Sequence, residues 1–316
     1  MQFFYNDFMA AIKKKIYIFG CIMWDIIGKP LEVMQKGKDS AGFINERPGG
    51  VAFNVALGLS KALEKSGFKL SLVSAIGKND KTHAIRTILR ENGIGSRYLI
   101  IKGTQNDRYL SIETKNGEIF GSINHTNTLL SYQVEMFKHF SSICSAHKKN
   151  NDNAIFIFDG NCTREFLDFV KKEADEKIFT KYFIPANFSK LKQFENEAIY
   201  FKGFNLFINL REANILLGSK KLNNSEHASK AIFEKIKTEN CLAVVTDGPN
   251  VACGINNEGV AKVRPEVINS TLSRLGAGDA FFAYFLSHKE LNPKVSLEKS
   301  LNVANKKTKQ YLEAND

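Results

Sequence analysis

From Ile16 onward, short apolar runs alternate with amphipathic ones: KIYIFG, VAFNVALGLSKAL, KLSLVSAIG and HAIRTILRENG follow one another through the first 93 residues. The first and third have strand length; the second and fourth have helical spacing. This rhythm marks βαβ units, which lay parallel strands side by side and cover both sheet faces with helices. It resumes with AIFIFDG before TREFLDFVKKEAD, with FNLFINL before REANILLG, and with CLAVVTDG after SEHASKAIFEKIKTE. An α/β fold with a mostly parallel sheet is therefore predicted. Ligands of open α/β sheets bind beyond the carboxyl ends of the strands. Gly20, Gly77, Asp159 to Asn161, Asn209 and Asp247 with Gly248 are accordingly expected along one edge, around a shared pocket.

Two stretches break the rhythm, residues 26–47 and residues 107–123. In the second, RYLSIETKNGEIFGSI reads as a β-hairpin turning at Asn116-Gly117, and the two stretches together read as a small β-lid. Residues 1–14 read as an extension outside the core, and residues 15–316 as one domain, although 316 residues also suit two domains of about 150.

Composition removes several classes. Apolar residues are 43% and charged residues 24%, ordinary globular usage that excludes a disordered chain or a coiled coil. The balance of 44 basic and 33 acidic residues gives a net +11 and invites a nucleic-acid partner. The lysines, however, fall in short scattered clusters such as Lys13 to Lys15, Lys148-Lys149, Lys220-Lys221 and Lys306-Lys307, with no stripe and no nucleic-acid module. No nucleic-acid partner is expected. Five cysteines without a Cys-x-x-Cys pair fit neither a disulfide framework nor a zinc ribbon, and Cys144 with His147 lacks the second ligand pair of a zinc site. No apolar run approaches ~18 residues and the opening residues lack the layout of a signal peptide. A cytoplasmic protein without a membrane partner is expected.

Three segments carry chemistry. In LGAGDAFFAYFL, residues 275–286, Gly276-Ala277-Gly278 opens a helix whose free backbone N–H groups favour an anion. Asp279 in its first turn is placed to take a proton from an attacking hydroxyl. The plainer alternative is a glycine turn with Asp279 stabilised by the helix dipole. In PGGVAFNVALGL, residues 48–59, Gly49-Gly50 permits close backbone approach and Asn54 offers an amide suited to vicinal hydroxyls, or simply lies on a solvated helix face. Asp25, five residues past Gly20, can accept from a polyol or serve as a turn carboxylate. Asn209-Leu210-Arg211-Glu212 is either an Asn capping box or the source of a carboxylate, Glu212, that meets Mg2+ through water.

No Gly-x-x-x-x-Gly-Lys-Ser/Thr loop occurs, since the Gly-Lys pairs at 28, 37 and 77 lack the earlier Gly and the following hydroxyl. Position 281 is Phe, which defeats Gly-x-Gly-x-x-Gly, and His-Glu-x-x-His and Gly-x-Ser-x-Gly are absent.

In this order along the chain, GGVAFN, NLRE and GAGDAF resemble the ribokinase-like family of sugar and nucleoside kinases, and the resemblance runs over about residues 15–312. It implies a three-layer α/β/α fold with a small β-lid, ATP and Mg2+ as cofactors, and phosphorylation of a primary hydroxyl on a small sugar or nucleoside. It makes Asp279 the general base and Gly276, Ala277 and Gly278 the anion hole. Asp25, Gly49, Gly50 and Asn54 become acceptor contacts, Asn209 and Glu212 phosphate and Mg2+ helpers, and Thr246 and Gly248 nucleotide neighbours. Within the family, RPGGVAFNVA, FDGNCTREFL, IPANFSK and VTDG are most similar to bacterial pseudouridine kinases. That likeness implies transfer to the 5′-hydroxyl of pseudouridine, with Asn161 and Lys190 as base or pocket contacts. Ribose, adenosine or a related acceptor is the alternative, as is a catalytically silent nucleoside- or sugar-binding protein. The chain departs from the family pattern at Gly77-Lys78-Asn79-Asp80-Lys81-Thr82 and at Ser273-Arg274-Leu275, which leaves a monovalent cation and some nucleotide contacts undecided, and at Val251, which bears on the ATP side. Lid edges often pair between subunits in this family, so the resemblance also implies a homodimer through the lid.

Overall fold

A computed structural model describes residues 14–218, 222–266 and 274–314. Its elements begin with β1 (Lys15–Phe19), β2 (Met23–Pro30), β3 (Gly42–Gly49), α1 (Val51–Ala62), β4 (Lys69–Ile76), α2 (Asp80–Glu91) and β5 (Leu99–Ile101). There follow β6 (Asp107–Glu113), β7 (Ile119–His125), α3 (Thr128–Ser131), α4 (Gln133–Asn150), β8 (Ala154–Asp159), α5 (Arg164–Glu173), β9 (Phe179–Ile184) and α6 (Phe188–Leu191). The chain closes with β10 (Asn205–Asn209), α7 (Leu210–Leu216), α8 (Ser225–Ile236), β11 (Leu242–Thr246), β12 (Ala252–Asn256), β13 (Gly259–Val263), α9 (Ala277–Leu291) and α10 (Leu297–Ala314).

Among the described residues nine strands form one sheet in the order β13-β12-β11-β10-β9-β8-β1-β4-β5. The run from β11 to β5 is parallel and β12 and β13 turn back antiparallel. Central strands are apolar on both faces, as parallel strands between two helix layers must be. On one face Phe19, Phe156 and Phe158 meet Phe140 of α4 and Phe166 of α5, and Phe156 stacks on Phe179 at 4.6 Å. On the other, Ile16, Ile18, Ile155 and Ile157 pack under Phe53 of α1 and Phe282 of α9. The expected fold class is the observed one, and the parallel pairing brings Gly20, Gly77, Asp159, Asn209 and Asp247 to one edge.

A second sheet, in the order β3-β2-β6-β7, is mixed, with β2 and β6 parallel and the outer pairs antiparallel. Both stretches that break the rhythm fall in it. It starts earlier than residue 26, so Asp25 belongs to this sheet and not to the end of the first strand of the large one. The hairpin turn is as the sequence predicts: Gly117 has φ 74° and its N–H donates to Thr114 O at 2.9 Å. Asp107 fixes the sheet's base by accepting from Asn127 N at 2.8 Å and from Thr128 Oγ1 at 2.7 Å. The segment from Gly77 to Thr82, which departs from the family pattern, forms a joint with the approach to β6. Gly77 N donates to Asn106 Oδ1 at 2.7 Å, and Asn79 caps α2. Of the N-terminal extension only Lys14 is described, its ammonium 2.8 Å from Glu290; the rest, and Lys220, Lys221 and Ser273, lie outside the described residues.

Two helices meet closely to build the edge. A Cβ on Gly58 of α1 would stand 2.7 Å from Ala283 Cβ of α9, a separation only glycine allows. This contact sets α1 and α9 side by side and brings their first turns together.

Candidate active site

Asn54, in the first turn of α1, donates through Nδ2 to Asp279 Oδ2 at 2.9 Å. Residues 225 positions apart thus share one bond, and the two glycine-rich helix starts open on the same space. Gly276 caps α9 in the left-handed region at φ 79°, a conformation that costs L-residues with side chains. Nothing stands within 4 Å of where a Cβ on Gly278 would lie, so this turn faces open space. Ala277 N donates back to Arg274 O at 3.2 Å, so the N–H groups left for an anion are those of Gly278 and Asp279. Asp279 is half-buried at the cleft. Burial pushes its carboxyl up to about 7, the Asn54 bond opposes this, and the charges of Asp159 and Asp25 add to it.

Asp25 is 4% exposed, and its Oδ1 has no hydrogen-bond partner among the described residues. A buried carboxylate oxygen without a donor costs about 1–3 kcal/mol, a debt that a hydroxyl entering the site would cancel. Burial holds Asp25 at about 7 against the opposing charge of Arg47, its register partner on β3. A side chain at Gly49 would run into the Asp25 carboxylate, and one at Gly50, where φ is 94°, into the Cys21 carbonyl. Both glycines are required for β3 to pass into α1 beside Asp25.

Asn161 and Lys190 are brought together, though chiefly with each other. Lys190 Nζ donates to Asn161 Oδ1 at 2.8 Å, and Asn161 Nδ2 donates to Asp159 Oδ2 at 3.1 Å. Asp159, 1% exposed, also accepts from Cys21 N at 2.9 Å and Asn161 N at 2.7 Å. It ties the ends of β1 and β8 together beneath the site. Sequence reasoning placed Asp159 on the edge without giving it a task; its signal is an acidic residue ending an otherwise apolar strand.

Of the two alternatives for Glu212, the capping box is the geometry present. Asn209 N donates to Glu212 Oε2 at 2.8 Å and Glu212 N donates to Asn209 Oδ1 at 3.0 Å, a complete capping box. Yet burial pushes Glu212 up to about 7 and the Asp279 charge adds to it, so the two carboxyls are electrostatic neighbours. No cluster of three or more metal-ligating side chains exists among the described residues. A Mg2+ ion suits one carboxylate plus phosphates and water, and Glu212, whose Oε2 alone serves the cap, fits that limited share. Thr246 pairs in register with Asn209, while Gly248, at φ 55°, lies on an exposed turn. Neither is hydrogen-bonded to the Asp279 cluster among the described residues.

The model of the pfkB family carbohydrate kinases matches residues 13–307. The chain belongs to this family and is a phosphotransferase with an alcohol group as acceptor, of the sugar and nucleoside kinase class. Among solved structures it is similar to the ribokinase from Giardia lamblia, at 16% identity over 95% of this chain and 94% of that one, with TM-score 0.71. It is likewise similar to phosphofructokinase-2 from Escherichia coli in complex with fructose-6-phosphate (14%, 96% and 94%, TM-score 0.70). The ribokinase from Cryptococcus neoformans in complex with ADP gives 19%, 95% and 94%, with TM-score 0.69. At these identities the likeness is one of fold. No curated protein sequence matches the chain. No described helix is long and apolar enough to cross a membrane.

Proposed function

We propose that this kinase transfers the γ-phosphoryl group of ATP to the 5′-hydroxyl of a nucleoside, with pseudouridine as the acceptor. The observation that carries the chemistry is the Asn54–Asp279 bond at 2.9 Å, which joins the acceptor-side helix start to the anion-binding one. ADP in the similar Cryptococcus structure supports ATP as donor, and the likeness of RPGGVAFNVA, FDGNCTREFL and IPANFSK supports the acceptor.

Asp25 accepts from a sugar hydroxyl through its unpartnered Oδ1, and Asn54 holds Asp279 toward the hydroxyl that reacts. Asp279 takes the proton of that hydroxyl as its oxygen bonds to the γ-phosphorus and the bond to the bridging oxygen breaks, releasing ADP. The Gly278 and Asp279 N–H groups face the charge on the transferring group. Mg2+, when bound, neutralises charge on the phosphates, and Glu212 is the residue that would hold one of its waters.

Mg-ATP-dependent phosphorylation of pseudouridine, uridine, adenosine, ribose and fructose tests this reading. Turnover selective for pseudouridine is expected. Turnover of another acceptor discards the substrate and keeps the chemistry, while binding without turnover means a silent sensor.

We also read the outer face of the small sheet as a contact between two copies of the chain. Leu110 pairs across the strands with Ile26 and Ile123, and Gly28 with Ile44 and Ile112. This apolar face lies opposite the one carrying Asp25, and Ile44 and Ile123 are 75% and 67% exposed on it.

A further inference from the structure

The two faces of β6 are sorted by their neighbours. Arg108, Leu110 and Ile112 are exposed, whereas Asp107, Tyr109 and Ser111 turn inward. Asp107 accepts from Thr128 Oγ1 at 2.7 Å, Tyr109 packs against the core of the large sheet, and Ser111 is 1% exposed. Register carries this face across to β2, where Asp25 pairs with Tyr109 and Ile27 with Ser111, since in-register neighbours of a pleated sheet share a face. Ser111 therefore lies on the face of the small sheet that carries Asp25, one strand across and one pleat repeat farther along.

Ser111 Oγ has no hydrogen-bond partner among the described residues. Ile27 beside it on β2 has no polar atom to offer, and Ser122, its register partner on β7, does not bond it. A buried hydroxyl left this way is uncommon in a folded chain and destabilises it. Asp25 Oδ1, on the same face, is in the same condition. Two enclosed, unpartnered oxygens thus face one cleft, a carboxylate that accepts and a hydroxyl that both donates and accepts. Their strand positions are about 7–8 Å apart, the spacing of diagonal neighbours in a sheet.

We infer that Ser111 is a specificity-determining residue, its hydroxyl bonding a carbonyl or ring N–H of the acceptor's base. The inference rests on the reading of the acceptor as a nucleoside, and it gives the base of that nucleoside a place. With the reacting hydroxyl at Asp279 and a second sugar hydroxyl at Asp25, the base continues along the inner face of the small sheet toward Ser111. A free pentose held at Asp25 ends short of that position. Because both oxygens are enclosed, the acceptor enters with the small sheet lifted and meets them as the sheet returns. A site built to bond a polar group of its ligand discriminates against a ligand lacking that group, so Ser111 favours a nucleoside over its bare sugar.

Ser111→Ala is assayed beside the wild type on pseudouridine at saturating Mg-ATP, with ribose titrated as a competitor, and both proteins are melted with and without pseudouridine. The KM for pseudouridine is expected to rise about 10-fold, while kcat, the KM for ATP and the inhibition constant of ribose stay unchanged. Without acceptor the variant should melt no lower than the wild type, since it loses an unpartnered hydroxyl and no bond. With pseudouridine present the wild type should gain more than the variant. An unchanged pseudouridine KM overturns the inference. Equal weakening of pseudouridine and ribose, or a lower melting temperature of the ligand-free variant, overturns it by showing a structural role. A wild type that phosphorylates ribose but no nucleoside, or no acceptor at all, removes the nucleoside reading and this inference with it. A wild type active on pseudouridine beside an unimpaired Ser111→Ala overturns the role of Ser111 alone.

Discussion

Asp25, Glu212 and Asp279 are each held near 7 chiefly by burial, against about 4 for such groups in an unfolded chain. The folded state therefore binds more protons than the unfolded one between about pH 4 and 7, and stability from these groups falls as pH rises through that window. Activity runs the other way, because only ionised Asp279 can accept a proton. We expect log(kcat/KM) to drop with unit slope as pH falls below about 7, and a flat profile down to pH 5 would refute the assignment. Asp25→Asn should be more stable than wild type at pH 8, in thermal melts, and lose that advantage toward pH 4; equal melting at both pH values would show that burial of Asp25 carries no such cost. Much of this site is legible in the sequence, because glycines at helix starts are local signals: Gly49-Gly50 and Gly276 to Gly278 mark their own turns. Arg47 carries no local signal, since only the β2–β3 register brings it in.

At the scale of elements, the α1–α9 contact governs alignment. Gly58→Ala gains about 1 kcal/mol of helix propensity, but its new methyl would press on Ala283 Cβ at 2.7 Å, and overpacking of this kind costs about 1–3 kcal/mol. The clash wins. The variant should melt at a lower temperature and turn over more slowly, since the Asn54–Asp279 bond spans the two helices; a stabilised, fully active variant would show the helices free to separate. The strands and helices announced by clean periodicity all form. β9 escapes such reading because Lys181 interrupts its apolar run; it is 3% exposed, with its ammonium 3.3 Å from Glu176. In α4 the buried Met136, Phe140, Ile143, Cys144 and His147 recur at i, i+4, i+7, i+8 and i+11, a helical stripe that is legible in the sequence.

For the whole molecule, the two sheets divide the work. The large sheet supplies a rigid edge on which Asp159, Asn209 and the helix starts are fixed, and the small sheet brings Asp25 and Arg47 over it. Its opposite face gives a prediction about assembly: the wild type should sediment as a dimer, and Ile44→Asp with Ile123→Asp as a monomer. A monomeric wild type would sink the paired reading and leave the catalytic one untouched. The central claim, that Asp279 is the base of a phosphoryl transfer, is tested most directly by comparing Asp279→Ala with the wild type on the best acceptor, with thermal unfolding measured alongside. The account predicts a kcat lower by about 10²- to 10⁴-fold in a protein that still folds; turnover close to that of the wild type would contradict it.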